Sequence, residues 1–299
     1  MLSSPFLDEM AGRRVLVKTE NLQHTGSFKF RGGWSALSGM PEAQRAKGVF
    51  AYSSGNHAQG VAMAAAKFGV PAVILMPSDS PALKIENTKA LGAEVVTYDR
   101  LRDSREELGA RFARERGLTL VRPYDEPLVI AGQGTVGLEI VEQAKAEGVE
   151  KADVLVPCGG GGLTSGISIT LEGTDLRARP CEPEGFDDAA RSLASGKREV
   201  NAAQGGSICD AIVTNSPGEI TFPIMLKNCG AGLVVSDDEA MQAVALAFQR
   251  LKIVLEPGGA VALAAALFRP EQITGDAVIV VATGGNVDAD VFSRSLATI

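Results

Sequence analysis

Apolar positions along this chain fall into short runs separated by stretches of helical period. Val15-Leu16-Val17, Val49 to Tyr52, Ala72 to Met76, Glu94 to Tyr98, Leu118 to Val121, Val154 to Val156, Arg177 to Cys181 and Val278 to Ala282 read as strands. Helices are predicted between them: Arg31 to Leu37, one opened by Ser53 to His57 and running through Phe68, one near Pro81 to Leu91, Ser104 to Arg116, one ending near Gly148, and a short one to Thr170. Val61, Ala64, Ala65 and Phe68 share one stripe at helical spacing. Ser236-Asp237-Asp238-Glu239 has the spacing of a capping box and should open a helix through Leu251. Gly258 to Phe268 is apolar throughout but too short to span a bilayer, and reads as a buried helix. From Pro123 to Gly134 the pattern is irregular. Strands alternating with helices predict an α/β protein of parallel, open, twisted sheets with flanking helices and right-handed crossovers. The long irregular joins divide it into two domains, a discontinuous one over 1–47 and 128–299 and a smaller, mobile one over 48–127.

Composition narrows the function. The chain has 299 residues, long enough for about two domains. Hydrophobic residues at 45% and charged residues at 22% are ordinary for a soluble globular protein. With 29 basic against 36 acidic side chains, net -7, neither nucleic acid nor an anionic membrane is the expected partner. Four cysteines, Cys158, Cys181, Cys209 and Cys229, form no CxxC pair, and two histidines make a zinc site unpromising. Reduced thiols in a cytoplasmic protein fit best. Met1 leads to Ser3-Ser4-Pro5 with neither a basic segment nor a long apolar core, so no secretory signal is expected.

Five segments carry candidate chemistry. In Thr25-Gly26-Ser27-Phe28-Lys29-Phe30-Arg31-Gly32 a lysine lies between two phenylalanines. Apolar surroundings disfavour the ammonium and leave an amine able to attack a carbonyl carbon. The plain alternative is a lysine snorkelling past two core aromatics. Gly159 to Gly162, between a strand and a helix, bares four backbone N–H groups that suit a phosphate; the alternative is a tight turn. No Lys-Ser or Lys-Thr follows at P-loop spacing. The third position of a dinucleotide fingerprint falls on Thr164 or Ser165. A nicotinamide-binding oxidoreductase therefore stays open, with Glu182 or Glu184 as its ribose acid. Ser53-Ser54-Gly55-Asn56-His57 opens a helix and would suit a carboxylate, unless its serines merely cap that helix and His57 merely packs. Thr283-Gly284-Gly285-Asn286 puts a hydroxyl at a strand's carboxyl end, where ligands sit in open α/β sheets. Glu182-Pro183-Glu184-Gly185-Phe186-Asp187-Asp188 gathers carboxylates that suit magnesium or calcium, or form an acidic loop capping the next helix.

Taken together, these motifs resemble those of the pyridoxal 5′-phosphate enzymes of fold type II, the tryptophan-synthase-β type, and specifically the threonine/serine dehydratases and serine racemases. The resemblance spans nearly the whole chain. It implies that Lys29 bonds the cofactor aldehyde, that Phe28 lies against the cofactor ring, and that Asn56 reaches the ring hydroxyl. Gly159, Gly160, Gly161 and Gly162 would cradle the phosphate, and Thr283 would face the pyridine nitrogen. Ser53, Ser54, Asn56 and His57 would receive the substrate. Glu182, the Phe186 carbonyl and Asp188 resemble the divalent-cation site of some members. The implied activity is β-elimination: Lys29 removes the Cα proton of L-threonine or L-serine, the β-hydroxyl leaves, and hydrolysis gives a 2-oxo acid and ammonia. Ser54 is the candidate acid/base on the opposite face, which would allow serine racemisation. 3-Hydroxyaspartate is a third substrate possibility, needing a cation for its second carboxylate; Arg102, Arg105 and Arg122 lie in plausible regions. Relatives usually carry a helix and a Thr-Pro-Leu turn ahead of the segment starting here at Leu2-Ser3-Ser4-Pro5, and feedback-inhibited ones carry a regulatory domain. The resemblance thus implies an unregulated, catabolic enzyme and the family's usual homodimer.

Overall fold

A computed structural model describes residues 1–80, 82–99, 102–203 and 205–299, with all their side chains except those of Leu83, Arg105 and Glu106. Nine strands are present among them: β1 (Arg14–Thr19), β2 (Val49–Tyr52), β3 (Ala72–Pro77), β4 (Glu94–Tyr98), β5 (Thr119–Leu120), β6 (Lys151–Pro157), β7 (Asp175–Pro183), β8 (Leu233–Val235) and β9 (Ala277–Ala282). They form two sheets, ordered β1-β9-β6-β7-β8 and β4-β3-β2-β5, and every strand pairing in both is parallel.

The pleat sorts the apolar runs onto two faces of each sheet. In the first sheet Val15, Val17, Val278 and Val280 turn toward the helices Asp237–Leu251 and Pro257–Phe268. Their neighbours Leu16, Ile279 and Val281 turn toward the helices Pro127–Ala146 and Gly162–Thr170. All six residues of β9 are buried, as a central strand covered on both faces requires. In the second sheet Val49, Ala51, Ile74 and Met76 pack with Ala36 and Leu37 and with Val61 and Ala65 of the helix Asn56–Phe68. Phe50, Val73 and Leu75 pack with Phe112 and Leu118 on the other face.

Glycines set how closely the helices approach. A Cβ on Gly60 would lie 2.8 Å from the backbone of Lys29, and one on Gly33 would lie 3.0 Å from the Gly60 carbonyl oxygen. The helices Lys29–Gly39 and Asn56–Phe68 therefore cross backbone to backbone. Gly134 and Gly166 do the same for Pro127–Ala146 and Gly162–Thr170, with 2.9 Å from a Gly134 Cβ to the Gly166 oxygen.

Several boundaries differ from the sequence reading. The stretch expected to be irregular to Gly134 is helical from Pro127, a proline at the first helical position, where its missing N–H costs nothing. The helix expected from Arg31 starts at Lys29. Strand β7 runs on to Pro183, so Glu182 stands in a strand rather than in an acidic loop. Leu233–Val235, too short to signal itself, adds the edge strand β8.

Candidate active site

The segments that carry chemistry meet in one cleft of about 350 Å³, at the carboxyl ends of β2, β6 and β9. Phe28, Lys29, Ser53, Ser54, Asn56, His57, Gly159, Gly160, Gly161, Gly162 and Thr283 all line it. Such a volume suits a small molecule rather than a polymer.

Lys29 reaches this place because its loop is tied to the end of β9. The Phe28 amide donates to the Thr283 carbonyl at 3.2 Å, and Ser27 bridges Gly284. Thr25 holds a left-handed backbone at φ 61°, a conformation that disfavours side chains with a Cβ branch. Asn286 Nδ2 braces it by donating to the Thr25 carbonyl at 2.8 Å. Lys29 Nζ donates to the Pro123 carbonyl at 2.8 Å and lies 5.1 Å from the centroid of the Phe28 ring. Loss of hydration lowers its pKa to about 8, partly opposed by the Glu256 carboxylate.

Across the cleft, Gly55 rather than a serine occupies the N-cap of the helix Asn56–Phe68. The Ser53 hydroxyl instead accepts the Gly55 amide at 3.1 Å. Asn56 is held at both ends: its Nδ2 donates to Glu256 Oε1 at 2.6 Å, and its Oδ1 accepts from Asn286 Nδ2 at 2.7 Å. His57 is buried with Nε2 at 2.9 Å from the Val121 carbonyl. Burial above all, then the Lys29 charge, depresses its pKa to about 3, so it is neutral at physiological pH and its Nε2–H donates to that carbonyl.

The glycine run lies between β6 and the helix Gly162–Thr170. Among the described residues no protein acceptor takes the amide N–H of Gly159 through Thr164. Thr221 Oγ1 donates to the Gly160 carbonyl at 2.6 Å and Ser165 Oγ to the Thr221 carbonyl at 3.0 Å, fixing the loop from behind. Three of the four glycines also have a steric reason to be so. Gly161 has φ 88°, and a Cβ on Gly160 would lie 2.3 Å from the Tyr124 ring. A Cβ on Gly162 would lie 2.8 Å from Gln133 Oε1. Gln133 is 1% exposed, and neither its Oε1 nor its Nε2 has a hydrogen-bond partner. A buried amide without partners costs free energy on the order of 1–3 kcal/mol per unpaired group, and Gln133 lines the cleft, where its amide is open to a ligand.

Thr283 is 4% exposed at the end of β9. The other expected site residues lie outside the cleft. Glu182 holds the amides of Ala189 and Ala190 at 2.9 and 2.7 Å, and so caps the helix Asp188–Ser195; Asp187, at the N-cap position, makes no side-chain cap. Asp188 Oδ1 accepts from Asn201 Nδ2 at 2.6 Å, while its Oδ2 is buried without a partner. Phe186 is buried beside them. Among the described residues no three His, Cys, Asp or Glu side chains converge as a metal cluster. Arg102 is exposed and pairs with Asp99 at 3.5 Å, and neither it nor Arg122 lines the cleft. The Arg105 side chain lies outside the described residues.

Three cleft residues had no role assigned from the sequence. Glu256 flanks the apolar helix, Gln133 lies in the stretch read as irregular, and Asn286 ends the Thr283–Asn286 segment without a role of its own; only the fold turns them inward.

The family model for pyridoxal-phosphate dependent enzymes matches residues 1–284. An L-threo-3-hydroxyaspartate ammonia-lyase from a Pseudomonas species is 42% identical, over 99% of this chain and 92% of that protein. The crystal structure of the T.th. threonine deaminase superposes with a TM-score of 0.89 at 43% identity, covering 96% of this chain and 92% of that one. Serine racemase from Dictyostelium discoideum gives 0.89 at 35% identity with the same coverage. The glycine loop that left a nicotinamide reading open thus has its counterpart elsewhere: the chain belongs to the pyridoxal-phosphate dependent enzymes, with the fold type II architecture.

Proposed function

We propose that this protein is an ammonia-lyase that converts L-threonine, L-serine or L-threo-3-hydroxyaspartate to a 2-oxo acid and ammonia by β-elimination. One observation carries the reading: an amine of lowered pKa shares a cleft with a loop of unpaired amides. The residues fit pyridoxal phosphate. Six free N–H groups at a helix N-terminus and the unpartnered Gln133 amide would hold its phosphate end, and Thr283 would stand at its ring. When bound, the cofactor supplies the electron sink for the carbanion formed at Cα.

The chain's own groups do the rest. At pH 7 a pKa of about 8 leaves Lys29 Nζ as free amine in about one molecule in ten, against about one in three thousand for an ordinary lysine. Lys29 Nζ is the group that takes the Cα proton. Ser53 and the amides opening the helix at Asn56 orient the substrate carboxylate, while Phe28 limits water on the lysine side. Ser54, which lines the cleft, is the group that delivers a proton to the other face, which makes racemisation a second outcome of one site. The named relatives include ammonia-lyases and a racemase, which supports both.

The reading includes a homodimer, as is usual in the family, to which exposed apolar side chains such as Trp34 and Leu128 would contribute. It places the enzyme in the cytoplasm, supported by four free cysteines; no helix among the described residues is long and apolar enough to cross a membrane. It also puts a magnesium or calcium ion at Glu182, the Phe186 carbonyl and Asp188. Burial first, and then Asp188, raises the Glu182 pKa; burial foremost lifts Asp188 to about 6. A cation would relieve both and would partner the orphan Oδ2 of Asp188.

The test is turnover of the cofactor-loaded protein with each of the three amino acids, reading 2-oxo acid, ammonia and D-serine. Lys29→Ala should abolish all products. Ser54→Ala should lose D-serine formation while keeping more than a tenth of elimination. No product above the Lys29→Ala background from any of the three would overturn the proposal.

A further inference from the structure

We infer that Glu256 is a positioning residue that decides which end of the Asn56 amide faces the cleft; the inference rests on the ammonia-lyase reading of this site. Three separate segments meet here. Glu256 precedes the helix Pro257–Phe268, Asn56 opens the helix beside the second sheet, and Asn286 follows β9. Asn56 Nδ2 donates to Glu256 Oε1 at 2.6 Å, Asn56 Oδ1 accepts from Asn286 Nδ2 at 2.7 Å, and Asn286 Nδ2 also donates to the Thr25 carbonyl. Turned by half a rotation, the Asn56 oxygen would meet a carboxylate oxygen and its nitrogen would meet another donor. Two hydrogen bonds would become two like-with-like contacts, so one orientation of the amide is fixed. Glu256 uses one of the two Nδ2 hydrogens, and the second is left for an acceptor in the cleft.

The carboxyl cannot easily withdraw. The Glu256 amide donates to the Gly284 carbonyl at 3.0 Å, and a Cβ on Gly284 would lie 2.1 Å from Glu256 Oε1, so the acid rests on bare backbone. It is 8% exposed. Burial raises its pKa to about 7; Asp210 adds to the rise, whereas the Asn56 hydrogen bond, Lys84 and Lys29 oppose it. His57, next to Asn56 in the chain, is neutral across this range. Glu256 in turn favours the charged form of Lys29, so the acid and the amine titrate as a pair. As pH rises through about 7 the carboxyl loses its proton, strengthens its hold on the Asn56 donor, and raises the proton affinity of Lys29.

The holoenzyme and its E256Q, E256A and N286A variants decide the matter by two readouts, the visible absorbance of the bound cofactor from pH 5.5 to 9 and steady-state elimination. E256Q offers Asn56 an amide oxygen without a charge. It should keep KM within about threefold while losing the spectral transition near pH 7 and the matching limb of the kcat profile. E256A and N286A, which free one end of Asn56 each, should shift the absorbance at every pH and lower kcat at least tenfold. A wild-type titration retained in both E256Q and N286A overturns the inference, whether or not E256A folds. Should wild-type protein eliminate none of the three amino acids while E256Q still removes the transition, the positioning role stands and the lyase reading falls. If elimination proceeds but the variants leave the titration unmoved, the inference alone falls.

Discussion

Replacing Lys29 by methionine should make the cofactor-free protein more stable at neutral pH while abolishing its activity. Methionine keeps most of the length and apolar surface of the lysine stem and discards the charge. The folded-state pKa of Lys29 is about 8 against an ordinary 10.5, because burial strips the ammonium of its hydration. At 1.36 kcal/mol per unit, holding the ammonium in the cleft costs up to about 3 kcal/mol at pH 7. The direction follows from proton counting. Between pH 8 and 10.5 the unfolded chain binds the proton more tightly than the folded one, so stability rises with pH across that window. By pH 10 the penalty has fallen below about 1 kcal/mol, and the advantage of Lys29→Met should have narrowed by about 2.5 kcal/mol. The raised pKa of Glu256, about 7, falls where the series begins, and because this acid and Lys29 titrate together the narrowing belongs to the pair, with the lysine dominating above pH 8. Urea unfolding of both apo proteins at pH 7, 8, 9 and 10 measures it. A difference that stays constant with pH would refute the claim that the fold strains this amine toward its neutral form, whatever methionine adds through packing.

Other outcomes follow from the same geometry. Gly160→Ala drives a Cβ to 2.3 Å from the Tyr124 ring, where carbon pairs normally rest at about 3.5–4.0 Å, so it should cost about 1–3 kcal/mol and weaken cofactor binding at least tenfold. Melting curves and absorbance titration check the two effects separately, and an unchanged cofactor Kd would count against the loop as the phosphate cradle. On the proposed reading Thr283 would offer the pyridine nitrogen a neutral partner, so Thr283→Asp should raise transamination at the expense of elimination. That would be seen as a gradual loss of activity restored by added 2-oxo acid, and unaltered partitioning contradicts it. Magnesium or calcium at about a hundredfold excess over its Kd should add on the order of 2.7 kcal/mol to wild-type stability and raise the melting midpoint by several degrees. Asp188→Asn should remove that rise; an equal rise in the variant would dismiss the cation site.

Much of this protein is legible in its amino-acid order because its elements are local. The strands β1, β2, β3, β4, β6 and β9 are short apolar runs, the capping box at Ser236 is a four-residue signal, and both sides of that box form as hydrogen bonds. The bare amides of Gly159 to Gly162 are likewise a property of four neighbours. Glu182 was misleading for the opposite reason. Its acidic company suggested a loop, but strand β7 continues through it and hands its carboxylate to the helix two turns away in the chain. What no local reading could provide is the meeting of Lys29, Asn56, Gln133, Glu256 and Thr283. That depends on backbones crossing at Gly33 with Gly60 and at Gly134 with Gly166, and on β9 lying between β1 and β6. Residue types and their immediate spacing determined which chemistry the chain could perform. The packing of distant helices onto one sheet decided where water is excluded, and hence which lysine carries a lowered pKa, because desolvation depends on everything that surrounds a charge and not on its neighbours in sequence.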